Sequence, residues 1–409
     1  MEKEKLKKMK FIKKYKYFLL ENIKVEMPLP DDIIKIAKLY HDNNKELFVV
    51  GGCVRDFLQG KMPHDYDLVT NALPEESKKI LTRMNVSDEQ GKKFGVLRVY
   101  TKDEPNGYEI ASYRRDISGG RDTKGDKEKV EMGHHLTIND DCLRRDITAN
   151  SLYYDINKKE IIDLVGGVED IQNGIIKAVG EPSERFREDR LRLCRVIRFA
   201  ARGELKIDKK TSDAIQKDKR LRNVSDIDDV SQERIGEEFV KAVDWSSAHK
   251  KIESLHYYLE LLEKYDMFSE MFPGLDINID NINTFNIFII FALLFRDNDI
   301  EKLREKLREH KFSKNISDVV CFLLKLKKEI RDFDKISAAY KEKLRCHVDN
   351  ETILEFAKLY NFDDNYLKAF LRFQPKINAG ELMKQGFKGI GLGIEIKKRE
   401  IEEFKKLLW

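Results

Sequence analysis

Hydrophobic positions recur with two periods along the chain, and the change between them divides it in two. Residues 31–40 set Ile33, Ile34, Ile36, Ala37 and Tyr40 at helical spacing, which predicts an amphipathic helix just after Pro28 and Pro30. ELFVVGG (46–52) reads as a short buried strand ending in a glycine turn, and CVRDFLQG (53–60) as the helix behind it. DYDLVT (65–70) alternates, so Asp65 and Asp67 are expected on one strand face. PEESKKILTRM (74–84) predicts a helix opening at Pro74. VLRVYT (96–101) and YEIASY (108–113) predict a hairpin turning at Pro105, Asn106 and Gly107. Residues 114–135 are polar and carry glycines, the composition of a mobile loop. ITANSLYYD (147–155) reads as helical and EIIDLV (160–165) as a strand. Beyond residue 179 the strand period disappears. EDRLRLCRVIRFAARG (188–203), SQERIGEEFVKAV (231–243) and IESLHYYLELLEKY (252–265) all predict helices. The expected architecture is an α+β head, a mixed sheet with helices, followed by an all-helical remainder.

Composition narrows the class. A chain of 409 residues can bury several cores, and 41% hydrophobic with 37% charged residues describes a globular protein rather than a disordered one. The net charge of +4 decides little, because only clustering of the 77 Lys and Arg would mark a nucleic-acid surface. The five cysteines form no CxxC pair, which predicts free thiols in a reducing cytoplasm and neither a zinc site nor a disulfide framework. The longest apolar run, 285–295, falls well short of the ~20 residues of a membrane span and predicts a buried helix, so no membrane association is expected. Residues 1–27 form a basic, lysine-rich arm whose acids Glu2 and Glu4 argue against a transit peptide.

The chemistry centres on Asp65 and Asp67. Two carboxylates so close repel unless a divalent cation lies between them. Mg²⁺ accepts one or two carboxylates together with substrate phosphates, and supports in-line phosphoryl displacement. Taken alone, such a pair most often marks two exposed strand or loop acids. Upstream, Gly51 and Gly52 allow a backbone to approach a phosphate at a helix N-terminus, and Arg55 can grip a triphosphate oxygen. That segment alone could also be only a tight strand–helix turn.

Together, GGCVRDFLQGKMPHDYDLVTNALPEE resembles the first motif of class II CCA-adding tRNA nucleotidyltransferases, a motif shared with bacterial poly(A) polymerases. LRRDITANSLYYD resembles the family's RRDFTINAL segment, with Ile147 and Ala149 in place of the usual Phe and Ile. IIDLVGGVEDI, RFREDRLRLCRVIRFAA and SQERIGEEFVKA also match, and the likeness runs over residues 45–245, with a fainter match at the C-terminal end. The resemblance implies a polymerase-β-like nucleotidyltransferase head at 28–166, a neck at 167–245, a body at 246–375 and a tail at 376–409. It implies nucleotide and phosphate binding by Arg144 and Arg145, and a third catalytic acid at Asp146, for which Glu109 is a rival. It places base reading on Asp189 and Arg192, and sets Arg195 and Arg198 near the triphosphate or as supports of the neck. Such a role makes physical sense: cytosine and adenine both present an amino donor beside a ring-nitrogen acceptor, which a carboxylate and a guanidinium match and which guanine and uracil invert. On a continuous helix Asp189 and Arg192 would be neighbours.

The implied activity is template-independent addition of CCA to the 3′ end of tRNA from CTP and ATP, with Mg²⁺ as the only cofactor and no protein partner. Alternatives are a poly(A) polymerase, which NSLYYD favours, a CC-only or A-only enzyme, or an RNA-binding protein with an inactive head. The polar loop at 114–135 matches the family's flexible loop and favours full CCA addition. The His41–Asp42 pair lacks the further His and Asp of a phosphohydrolase, and GFKGIGLG (386–393) reads as a turn between tail helices.

Overall fold

Alternation in the first third of the chain builds one sheet. The computed structural model describes residues 23–63, 65–88, 95–116, 130–221, 230–360, 362 and 364–408. Eight strands pair: β1 (Ile23–Lys24), β2 (Leu47–Val50), β3 (Asp67–Thr70), β4 (Asn85–Ser87), β5 (Val96–Tyr100), β6 (Tyr108–Ser112), β9 (Leu152–Asp155) and β10 (Glu160–Asp163), in the order β1-β10-β9-β2-β3-β6-β5-β4. All neighbours are antiparallel except β3 and β6. Both faces are covered, as a mixed sheet with helices requires. Leu47, Val49 and Leu68 face one core with Ile36, Tyr40 and Val54. Phe48, Val50 and Val69 face a second, with Cys142 and Tyr153.

The expected helix after Pro30 spans Asp31–Asp42, and the helix behind β2 spans Gly52–Leu58. Three expectations change. ITANSLYYD is not helical: a single 3-10 turn, Thr148–Asn150, leads into β9, whose four residues are all buried beside β2. Four consecutive buried, mostly apolar residues suit a central strand as well as a helix, and only strand pairing separates them. The polar segment 114–135 begins and ends in a paired ribbon, β7 (Arg114–Asp116) against β8 (Val130–Met132). Its middle lies outside the described residues, as do residues 1–22 of the basic arm expected over 1–27; Ile23 and Lys24 of that arm instead form β1, paired with β10. The run 188–203 is not one helix: Pro182–Glu188 ends at Asp189, which is extended (φ −149°, ψ 104°), and a new helix runs Leu191–Gly203. Two two-residue strands the sequence did not reveal, β11 (Ile175–Ile176) and β12 (Lys206–Ile207), pair in parallel beside it.

The described chain divides into two compact units, 1–231 and 232–409, with the boundary inside the segment expected to be the neck. The second unit is helical throughout. Its core packs Phe239, Phe272, Phe291, Phe295 and Phe312 ring against ring at centroid separations of 5.1–6.0 Å. The apolar run 285–295 supplies the buried helix Ile287–Leu294, as expected. Among the described residues no helix is long and apolar enough to cross a membrane, and all five cysteines are buried free thiols.

Candidate active site

Strand register assembles the acids. β3 begins at Asp67, on the same face as Val69. Asp65 precedes the strand, and both aspartates are exposed. In the parallel pair, Leu68 stands opposite Ile110 and Val69 opposite Ala111. One residue earlier the same register sets Glu109 beside Asp67 on the same face. Asp67 responds to this crowding. Its carboxyl is pushed up to about 6, first by lost hydration among its neighbours and then by the charges of Asp65 and Glu109, with Arg145 acting in the opposite sense. On the next strand Arg98 pairs with Glu109.

Asp146 has its own set of partners. It is buried, and its Oδ2 accepts twice from Arg195, from Nε at 2.9 Å and Nη2 at 2.6 Å. Its Oδ1 accepts from the Ile147 amide at 2.8 Å. Burial works to raise its pKa, and Arg195 overrides it, holding the carboxyl down at about 2. Asp146 therefore fastens the helix Leu191–Gly203 to the segment before β9, and Glu109 is the acid beside Asp67.

The glycine turn lies between β2 and the helix that follows it, where the sequence placed it. Gly51 adopts φ +85°, open to glycine and strained for other residues, and a side chain there would point toward Arg145, the Asn150 carbonyl and Asp67. Gly52 opens the helix that carries Arg55. The Arg55 guanidinium bonds to Asp56 and to the Asn150 side chain. It also lies 5.5 Å from the centre of the Phe199 ring, which Arg195, Arg198 and Arg202 approach at 5.7, 4.3 and 5.4 Å. Phe199, Arg202 and Asn150 were not singled out in the sequence. The four-arginine surround of one ring depends on Arg55 arriving from a distant element, which no local pattern reports.

Arg144 and Arg145 share one anchor that the sequence also hid. Asp141 is fully buried, and both arginines and Tyr153 bond to it. Asp189 and Arg192 are brought near each other but not paired. The Asp189 carboxylate accepts from the Leu191 amide at 3.0 Å and caps the new helix. Arg192 pairs instead with Glu188 at 2.9 Å and donates to the carbonyls of Arg185 and Arg144. The helix break at Asp189 removes the i,i+3 geometry that a continuous helix would have given. In the IIDLVGG stretch, Asp163 accepts from the amides of Val165, Gly166, Gly167 and Val168, so that matched motif is structural.

Asp65, Asp67 and Glu109 offer carboxylate oxygens, the donor type a hard divalent cation takes, and the charges of Asp65 and Glu109 both bear on Asp67, but among the described residues no three such side chains are placed to hold a metal ion together. Arg145 bears on Asp67, while Arg55, Arg195 and Arg198 gather at the Phe199 ring, and guanidinium groups of this kind suit a polyphosphate.

Comparison with known proteins gives a consistent placement. Residues 47–177 match the poly A polymerase head domain. The chain is 31% identical over 376 residues to the CCA-adding enzyme of Ligilactobacillus salivarius, covering 87% of this chain and 88% of that protein. It is 30% identical over 251 residues to poly(A) polymerase I of Salmonella typhi, covering 60% of this chain and 50% of that protein. The solved structure of the Bacillus stearothermophilus CCA-adding enzyme in complex with CTP superposes with a TM-score of 0.61 over 93% of each chain, at 21% identity. At that identity the likeness speaks for the fold.

Proposed function

The chain belongs to the family of CCA-adding enzymes and bacterial poly(A) polymerases, and from that premise we propose that it completes the 3′ end of tRNA with CCA, using CTP and ATP and releasing pyrophosphate. One observation carries this reading over poly(A) synthesis. The match extends through 88% of the Ligilactobacillus salivarius CCA-adding enzyme, including the helical second unit, whereas it spans half the length of poly(A) polymerase I. The poly(A) reading keeps the shared head and the NSLYYD segment in its favour.

In this reading Asp65 and Asp67 would hold Mg²⁺, which supplies charge neutralisation at the reacting phosphates when bound. Gly51 and Gly52 leave room for the phosphates, and Arg55, Arg145, Arg195 and Arg198 orient them. The RNA 3′-hydroxyl attacks the α-phosphorus of the bound nucleotide, the bond to the β-phosphate oxygen breaks, and pyrophosphate departs. Asp189 and Arg192 read the base. Asp189 offers an acceptor at the start of the helix, and Arg192 is held next to it by Glu188.

Primer extension tests the assignment. The substrates are tRNA lacking its last three nucleotides and an unstructured RNA, each with Mg²⁺ and with single or paired nucleotides. The expected result is three additions to tRNA that need CTP before ATP. Long tails from ATP alone on either RNA would replace this reading with poly(A) synthesis.

A further inference from the structure

We infer that Asp141 is a positioning residue that sets the phosphate side and the base-reading side of the site from a single buried carboxylate; this rests on the nucleotidyltransferase reading above. The sequence INDDCLRR offers two adjacent aspartates on one short helix, Ile138–Leu143. They face opposite ways. Asp140 closes the helix start by accepting from the Thr137 amide at 2.8 Å and pairs outward with Arg115 at 2.6 Å. Asp141 points inward and has no exposed surface.

Its oxygens are fully used. Oδ1 accepts from Arg144 Nε at 2.8 Å and Nη2 at 2.6 Å. Oδ2 accepts from Arg145 Nε at 3.1 Å and Nη2 at 2.9 Å, and from the Tyr153 hydroxyl at 2.8 Å. The Tyr153 hydroxyl in turn accepts from Arg145 Nε at 3.1 Å, and the tyrosine ring lies 5.3 Å from the Arg145 guanidinium. Two of the Arg145 nitrogens are thus spent on Asp141. The third, Nη1, faces the Gly51 turn, where a Cβ built on Gly51 lies 3.8 Å from it and 4.0 Å from Asp67 Oδ2. The buried acid therefore aims the remaining donor of Arg145 at the place where the glycine turn, Asp67 and the nucleotide phosphates meet.

The other oxygen reaches the base-reading side. Holding the Arg144 side chain fixes the backbone there, and the Arg144 carbonyl accepts from Arg192 Nη2 at 2.9 Å. The Leu143 carbonyl accepts from Arg185 at 2.8 Å. The end of this short helix is thus the seat on which Arg185 and Arg192 rest. Asp141 touches neither nucleotide nor RNA in this arrangement; it acts through Arg145 and Arg144. Such supporting groups cost on the order of 100-fold in rate when their loss misplaces a phosphate ligand by about an ångström.

The test is a double-substitution cycle measured by single-nucleotide transfer to tRNA, with CTP affinity measured by equilibrium binding on the same proteins. Asp141→Asn keeps size and removes the charge. It is expected to lower kcat/KM for CTP by on the order of 100-fold, and to narrow the preference for CTP over UTP by about tenfold. In an Arg145→Ala background the same change should cost less than about threefold more in kcat/KM for CTP, because its phosphate-side target is already gone, while the narrowed preference for CTP over UTP, which runs through Arg144, should persist. Tyr153→Phe, which removes one hydroxyl and spares the charge, should fall between, and it decides the matter if Asp141→Asn does not fold. Full additive losses in the double variant, or wild-type kcat/KM and CTP affinity in folded Asp141→Asn or Tyr153→Phe, would overturn the inference. A wild-type protein that binds CTP but transfers nothing would overturn the transferase reading instead, while the effect of Asp141→Asn on CTP affinity would still judge this one.

Discussion

Asp67 and Glu109 stand side by side on the one parallel pair of the main sheet among the described residues, one residue before Leu68 and Ile110, and the charge of Glu109 helps to hold the Asp67 carboxyl near pH 6. This pairing places a second acid beside Asp67. It also makes the metal-free site self-repelling, and that repulsion has measurable consequences.

The sign follows from linkage. Asp67 binds its proton more tightly when folded than at the unfolded value of about 3.9, so its contribution to stability is lost as pH rises from about 4 to 6. Asp67→Asn should therefore melt higher than wild type without metal at pH 7, and the gap should close toward pH 4. Because the residue is exposed, solvent screening keeps the gap small. Adding Mg²⁺ should raise the wild-type melting temperature and leave the variant unmoved. Transfer by the variant should fall at least about 1,000-fold, the scale of losing a main charge-stabilising group. Equal melting curves at all pH values, with and without Mg²⁺, would contradict the repulsive cluster.

Asp146 behaves in the opposite way. Arg195 and the Ile147 amide hold it ionised at about 2, so its contribution is present above about pH 4 and is lost as pH falls toward 2. Asp146→Asn should destabilise the protein by about 2 kcal/mol in denaturant unfolding, as expected when one partner of a buried charged pair is removed. A neutral effect on unfolding with complete loss of transfer would return Asp146 to the group of metal-binding acids.

Phe199 gathers Arg55, Arg195, Arg198 and Arg202 around one ring. Replacing it with Leu keeps the apolar bulk and removes the π face. Steady-state kinetics should show KM for CTP and ATP raised about fivefold, in line with the loss of one or two cation–π contacts of about 0.5–1 kcal/mol each, with kcat much less affected. A fall in kcat at constant KM would mean that the ring serves the reacting groups instead of the phosphate grip.

For base choice, Asp189→Ala should relax discrimination against UTP and GTP more than it slows CTP transfer. Misincorporation assays with single nucleotides measure the ratio. Unchanged selectivity would leave Asp189 with only the capping role seen at the Leu191 amide.

Local chemistry was enough to announce much of the head. The buried apolar run of β2, the alternation at β3, the glycine turn at Gly51, the helix bearing Arg55, and the two aspartates around β3 all follow from residues within a few positions of one another. Those features depend on backbone periodicity and on φ preferences, which are properties of short segments. What the sequence could not decide were choices between near-identical neighbours. Asp140 and Asp141 differ by one position and face solvent and core respectively. LYYD suits a strand or a helix until β2 and β10 pair with it. Glu109 comes beside Asp67 because of the register between strands separated by some forty residues of chain. Arg192 turns to Glu188 because the helix restarts after Asp189. Each of these was settled by burial and pairing across the fold, where the free energy of placing a charge depends on which distant groups arrive beside it.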